Sequence, residues 1–349
     1  MRLLALIFSI IVFSVFSYAK PLEPVVVKKN VDVVKRQIRV AVLGFPMLSR
    51  VPPKNFSTDK MIAYLKSKMD VVVADKPDII VTPEHADDYA WLPLDQKLQW
   101  MNQRGEIIYN FMREYAKKHR CYIVFATYRY RGDVGKNSWS NCAILIDRDG
   151  DCVGVYDKNY LTIGEMENGL IPGKDAVVVD TDFGRVGMVI CFDLNFWDLM
   201  KRYADLKPDI LTFSSFYHGA YMQNTWAHRC ESYLLGATVG NTIDKNVVGP
   251  AGEVLAREHS GLNWISIDIN TNFKVLHWDN NREKIIEAKK KYGRVLDVHT
   301  PNECGLLPVF SNDPKIPIEK ILKEFEIESW SEYYQRSVKM RSDILKKIN

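Results

Sequence analysis

Three apolar runs in this sequence each end in one reactive side chain: "DIIVTPE" in Glu84, "VGVYDK" in Lys158 and "RVGMVIC" in Cys191. A carboxylate, an ammonium and a thiol can together run nucleophilic acyl chemistry. The thiol attacks a carbonyl carbon, the carboxylate acts as its base, and the fixed positive charge stabilises the oxyanion that forms. Taken singly, each residue has a plainer reading. A cysteine at a strand end is usually a small buried hydrophobe, a strand-end lysine a solvated charge, and a glutamate behind Pro83 a turn residue. Their joint placement is what points to chemistry, because strand carboxyl ends in α/β sheets face the crevice where ligands bind.

Cys191 stands where the strand-like "RVGMVIC" gives way to the helix-like "FWDLMKRYADL". A sharp turn at that junction exposes the thiol and aims backbone N–H groups at a reacting carbonyl, with the Phe192 N–H as the oxyanion donor. Asn195 is the expected cap of the following helix, with Asp198 three residues on, so the positive helix end should favour thiolate at Cys191.

Stepping outward, residues 38–270 alternate strand-like and helix-like segments. "IRVAVLGF" reads as a buried strand and "STDKMIAYLKSKMDVVVAD" as an amphipathic helix behind a Ser or Thr cap. "LQWMNQRGEIIYNFMREYAKKH" reads as one helix, "NTWAHRCESYLLGATV" as another, and "NCAILIDRDGDCVGVYDK" as a hairpin around an Asp/Gly turn. Helices alternating with strands and hairpins predict a layered α/β domain with mixed sheets. The expected organisation is a leader over 1–19, a solvated spacer over 20–36, a domain over 37–272 and a helical and loop-rich extension over 273–349 without a core of its own.

Composition narrows the function classes. With 47 basic and 43 acidic residues the net charge is +4, too balanced for a nucleic-acid footprint, and the 47% hydrophobic content is that of a globular chain. The opening "MRLLALIFSIIVFSVFSYAK" has a basic residue, an apolar stretch and small residues at Ser17 and Ala19, the pattern of a signal peptide cleaved after Ala19. A secreted or periplasmic protein with no membrane span after cleavage is therefore expected. Six cysteines are few for 349 residues, and disulfides are not the expected source of stability.

The residues around the three strand ends resemble the nitrilase superfamily of carbon–nitrogen hydrolases, over about residues 37–270. "PDIIVTPE" is similar to the strand ending in that family's catalytic glutamate, and "VYDKNYL" to its Tyr-x-Lys-x-x-Leu lysine segment. "GEMENGLIPG" resembles the stretch that carries its second glutamate, here Glu165, and "FGRVGMVICFDLNFWD" its cysteine segment. The resemblance implies a four-layer αββα sandwich with two mixed β-sheets and hydrolysis of a non-peptide C–N bond without metal or organic cofactor. It also implies a homodimer or higher homo-oligomer. Phe192 and Asp193 follow the cysteine where nitrile-hydrolysing members commonly have Trp-Glu, which favours an amide or carbamoyl substrate.

Ser215, Phe216 and His218, at and just past the end of the strand "DILTFSS", are expected to line the substrate site together with Phe192. The string "EHADDY" at 84–89 lacks the helical spacing of zinc proteases and reads as a turn with solvated acids. Loops 45–57, 85–100, 129–140 and 216–224 are the expected source of specificity. Two other functions use the same residues or scaffold: an acyltransferase passing the acyl group to an amine or lipid, and a catalytically silent binding protein.

Overall fold

A strand buried on both faces reads as an unbroken apolar run, and β1 (Gln37–Leu43) shows why. Its Val40 and Val42 enter the core between two sheets, while Ala41 and Leu43 enter the cluster beneath outer helices. The computed structural model describes residues 21–132, 138–241, 243–301 and 305–348. The expected leader and Cys304 lie outside the described residues.

β1 is followed by α1 (Thr58–Val73), β2 (Ile79–Val81), α2 (Leu94–Arg104), α3 (Ile107–His119), β3 (Tyr122–Tyr130), β4 (Trp139–Ile146) and β5 (Cys152–Asp157). After the short α4 (Ile163–Glu167) come β6 (Val178–Thr181), β7 (Gly184–Ile190), α5 (Trp197–Leu206), β8 (Ile210–Ser215), α6 (Tyr221–Cys230) and β9 (Tyr233–Thr238). β10 (Lys245–Val248), β11 (Val254–Glu258) and β12 (Trp264–Asn270) complete the main body. Two six-stranded sheets form, in the orders β12-β1-β2-β3-β4-β5 and β11-β10-β9-β8-β7-β6. Both are mixed: β1, β2 and β3 run parallel, as do β7, β8 and β9, with antiparallel neighbours outside them.

Helices α1 and α3 cover the first sheet through Met61, Leu65, Met69, Ile108 and Met112. Helices α5 and α6 cover the second through Leu199, Tyr203, Trp226 and Ala227. The expected four-layer αββα sandwich is the observed architecture.

Local expectations fail where one residue overrides a pattern. The single helix expected through "QRGEII" is two, because Gly105 ends α2 at φ 47° and ψ −126°, a conformation that suits glycine. The helix expected over "NTWAHRCESYLLGATV" stops at Cys230, where Glu231 turns left-handed at φ 49°. Its second half is instead β9, an interior strand buried throughout.

The segment 20–36 is not a solvated spacer. From residue 21 to 36 it has no regular structure, yet Leu22 is fully buried and the Val27 N–H donates to the Cys152 carbonyl at 2.7 Å. Lys29 pairs with Asp147 at 2.6 Å and Lys35 with Asp209 at 2.5 Å. The charges read from sequence as solvent-facing tie this strap to the body.

The extension after 272 is likewise more than helices and loops. β13 (Phe273–His277), α7 (Arg282–Tyr292), β14 (Leu296–Val298), β15 (Leu306–Ser311), α8 (Ile318–Glu324) and α9 (Trp330–Ile348) include a three-stranded sheet ordered β13-β15-β14. Leu276, Ile285, Leu296, Val309, Ile318 and Ile321 form an apolar cluster of its own, contrary to the expectation of a coreless tail. These strands are short and their partners lie far along the chain, so periodicity alone does not reveal them.

Candidate active site

Lys158 follows β5 and Glu84 lies in the turn after β2, and both side chains are only 1% exposed. The Lys158 Nζ donates to Glu84 Oε1 at 3.1 Å and to the two carboxylate oxygens of Glu165 at 2.8 and 3.1 Å. Glu165 is placed by a capping box at the start of α4. Its carboxylate accepts the Thr162 N–H at 2.8 Å while its own N–H donates to Thr162 Oγ1 at 3.3 Å. Gly173 lets the following turn close on this segment. Its N–H reaches the Lys158 carbonyl at 2.8 Å, and a Cβ there would stand 2.2 Å from the Asp157 carbonyl oxygen.

Asn141 is the residue that sequence reasoning missed. It is fully buried on β4, and its Nδ2 donates to Glu84 Oε1 at 2.8 Å and Glu165 Oε1 at 2.9 Å. The signal for it was present: an amide in a strand that is buried throughout and apolar beyond it needs partners. The second oxygen of Glu84 accepts the Phe216 N–H at 3.0 Å.

Cys191 begins a short 3₁₀ turn with φ 47°, a left-handed conformation uncommon for a residue with a Cβ. The acid that fixes this turn is Asp193. It accepts the Ile190 N–H at 2.9 Å, the Tyr156 hydroxyl at 2.6 Å and the Tyr160 N–H at 2.9 Å. Asn195, expected to cap the helix, instead donates to the Phe192 carbonyl at 3.1 Å and the Tyr217 hydroxyl at 3.2 Å. Helix α5 begins only at Trp197, after Phe196.

The expected thiolate-favouring environment is therefore corrected. Burial pushes the Cys191 thiol up to about 12, and the Glu84 carboxylate adds to the rise. The Lys158 ammonium, the Phe216 N–H and the Ser215 hydroxyl oppose it. Burial also works against charge on Lys158, yet Glu84, the Cys191 sulfur and Glu165 hold the ammonium above the ordinary lysine range. For Glu165, burial is outweighed by Lys158, the Thr162 N–H and Asn141, so its carboxyl sits below the ordinary value.

The acids of "EHADDY" are not solvated. Asp87 faces Arg104 at 3.2 Å and Asp88 faces Lys97 at 3.2 Å, with both acids at most 2% exposed. Burial, followed by the cations Lys97, Lys158 and Arg104, drives His85 well below the ordinary histidine value and keeps the ring neutral. Its Nε2 lies 3.0 Å from the Tyr128 hydroxyl and 3.7 Å from Glu84 Oε1. Glu84, His85 and Glu165 bring one ligand atom each within 4.8 Å of one another, as a metal site would. The cation between these two carboxylates is the Lys158 ammonium.

Of the expected lining residues, Ser215 is buried and hydrogen-bonded to the Tyr217 backbone at 2.7 Å, and Phe216 packs against His85 with centroids 5.4 Å apart. Phe192 is 37% exposed at the turn, edge-on to Phe196. His218 is committed elsewhere: its Nδ1 accepts the Ala220 N–H at 3.1 Å and its Nε2 lies 2.7 Å from Asn246 Nδ2. It anchors the loop after β8 to β10.

A carbon-nitrogen hydrolase family model matches residues 39–231. Human deaminated glutathione amidase is 28% identical over 156 residues, 37% of this chain and 48% of that protein. The chloroplastic omega-amidase of Arabidopsis thaliana is 28% identical over 172 residues, 42% of this chain and 45% of that protein. The chain spans about half the length of these curated relatives. Nit3 of Saccharomyces cerevisiae, a member of branch 10 of the nitrilase superfamily, superposes with a TM-score of 0.59 at 18% identity, covering 69% of this chain and 93% of that one. An amidase from Nesterenkonia sp. AN1 gives 0.57 at 16% identity, covering 67% and 90%. At these identities the structural likeness is one of fold. The family match takes in more than half of the sequence, including strands of both six-stranded sheets, and the chain belongs to the carbon-nitrogen hydrolase family.

Proposed function

We propose that this protein hydrolyses a non-peptide amide or carbamoyl C–N bond through a thioester on Cys191. The observation that carries the reading is one buried ammonium, Lys158, shared by Glu84 and Glu165 and coupled electrostatically to the Cys191 sulfur. Glu84 Oε1 already accepts from Lys158 and Asn141, whereas Oε2 accepts from Phe216 N–H, a group that also serves the sulfur. Oε2 is thus the oxygen assigned to the thiol proton. As Sγ bonds to the carbonyl carbon, Glu84 takes that proton, and the oxyanion rests on Lys158 and the Phe192 N–H. The proton returns to the departing nitrogen, the C–N bond breaks, and a water deprotonated by Glu84 cleaves the thioester. Glu165 and Asn141 hold Lys158 and Glu84 in place.

The similarity to two amidases supports the amide reading. Secretion or periplasmic export is part of the proposal and rests on the leader-like first 19 residues; N-terminal sequencing of the mature protein tests it. Among the described residues no helix is long and apolar enough to cross a membrane. Self-association is also proposed, supported by the exposed Tyr334, Val338, Ile344, Leu345 and Ile348 along α9. The test of the chemistry is ammonia release from a panel of simple amides and carbamoyl amino acids, with intact-mass detection of the acyl-enzyme. Lys158→Met should lower kcat by about 100-fold or more with the melting temperature retained within a few degrees. Wild-type turnover in Cys191→Ala would overturn the proposal.

A further inference from the structure

Beside Glu165 lies a cavity of about 90 Å³. Leu92, Leu98, Met101, Trp139 and Leu170 give it apolar walls, interrupted by Lys97, Glu165 and Asn168. Two residues connect it to the catalytic groups: Glu165, which binds Lys158, and Tyr128, whose hydroxyl touches His85 beside Glu84. The recess therefore lies one residue, Glu165, beyond the Lys158 ammonium that is coupled to the Cys191 sulfur.

The charges around this recess are already balanced. Lys97, the cation in its lining, donates to the Tyr128 hydroxyl at 3.0 Å and pairs with the buried Asp88 at 3.2 Å. Glu165, the carboxylate in its lining, is paired with Lys158 at 2.8 Å. A substrate carboxylate entering here would face the Glu165 carboxylate and a lysine already engaged by Asp88, and would lose its water against leucine and tryptophan side chains. A neutral hydrocarbon loses only unfavourable hydration.

Building on the amidase proposal above, we propose that this cavity is the acyl pocket and that it selects amides of neutral, apolar carboxylic acids over monoamides of dicarboxylic acids. Two of the loops expected to set specificity contribute, through Leu92, Lys97 and Leu98 from one and Trp139 from the other.

The test is kcat/KM of the full-length protein for acetamide, butyramide, hexanamide, succinamate and glutaramate, read as ammonia release. The value should climb about fourfold or more per methylene along the neutral series, and both anionic amides should fall at least an order of magnitude below butyramide. Leu98→Trp, at a half-buried position, should pull the hexanamide-to-acetamide ratio towards unity, and Leu170→Trp, also half-buried, provides an independent second obstruction. A flat neutral series, or a preference for glutaramate, overturns the pocket assignment and leaves the amidase proposal standing. Ammonia release from none of the five and from no carbamoyl amino acid, with Cys191 never acylated, overturns both.

Discussion

A cysteine whose thiol is pushed up to about 12 does not wait as a thiolate at neutral pH, so in the proposed reaction its proton leaves as the new bond forms. That places the burden on Glu84 and on the groups that hold it. Iodoacetamide labelling of Cys191 should accordingly accelerate about tenfold per pH unit from 7 to 10; a plateau near pH 7 would show a preformed thiolate instead. Asn141 is the other residue-scale determinant, because one amide group serves two carboxylates at 2.8 and 2.9 Å. Asn141→Leu keeps the approximate volume and removes both hydrogen bonds. Each bond to a charged group is worth about 1.5–3 kcal/mol, so kcat should fall by an order of magnitude or more. Steady-state turnover alongside thermal melting checks this, and unchanged kcat in a folded variant would remove Asn141 from the site.

At the scale of elements, the proposed nucleophile depends on a turn that is costly by itself. Cys191 adopts φ 47°, and left-handed backbone at a residue with a Cβ costs about 1–3 kcal/mol unless its surroundings enforce it. Asp193 supplies that enforcement by accepting three hydrogen bonds across the strand-to-turn corner. Burial pushes its carboxyl up to about 6, against those same bonds. Asp193→Asn exchanges one acceptor oxygen for a donor and should loosen the corner: kcat drops at least tenfold and the melting temperature falls, with far-UV circular dichroism preserved. Retention of both values would mean that neighbouring packing alone holds the turn. The same corner explains a sequence-level error, since Asn195 and Asp198 have the spacing of a cap but α5 starts at Trp197.

For the whole molecule, the additional unit after residue 272 is joined to the sandwich at β9 and β12. Tyr233 meets the Phe273 ring edge-on at 5.2 Å, and Asn270 Nδ2 donates to the Ser311 carbonyl at 3.0 Å. Glu231 lies beside this junction. Burial pushes its carboxyl up to about 7, with Lys274 and Lys207 opposing and Glu332 reinforcing the rise. An acid raised on folding binds its proton more tightly in the folded state. Its favourable contribution is thus full below the unfolded value near 4.5 and is lost as pH rises through about 7. Thermal melts at pH 5 and pH 8 should show the wild type losing more stability than Glu231→Gln over that interval. Parallel losses in the two proteins would show that this carboxyl is not buried at the junction.

What the sequence determined by itself was local and serial. The buried runs named several of the sheet strands, Ser57 marked the start of α1 with its hydroxyl accepting the Lys60 N–H at 3.2 Å, and three strand ends carried Glu84, Lys158 and Cys191. These signals are legible because apolar periodicity and caps act between near neighbours. Tertiary structure alone decided that Lys158 reaches Glu84, 74 positions away in the chain, and that Asn141 joins them. It alone decided that the sulfur is held as a thiol, that the strap at 21–36 is pinned by ion pairs, and that the last 77 or so residues contain a small sheet. Charge and burial act through space between segments that the chain keeps far apart, and no spacing along the sequence records their sum.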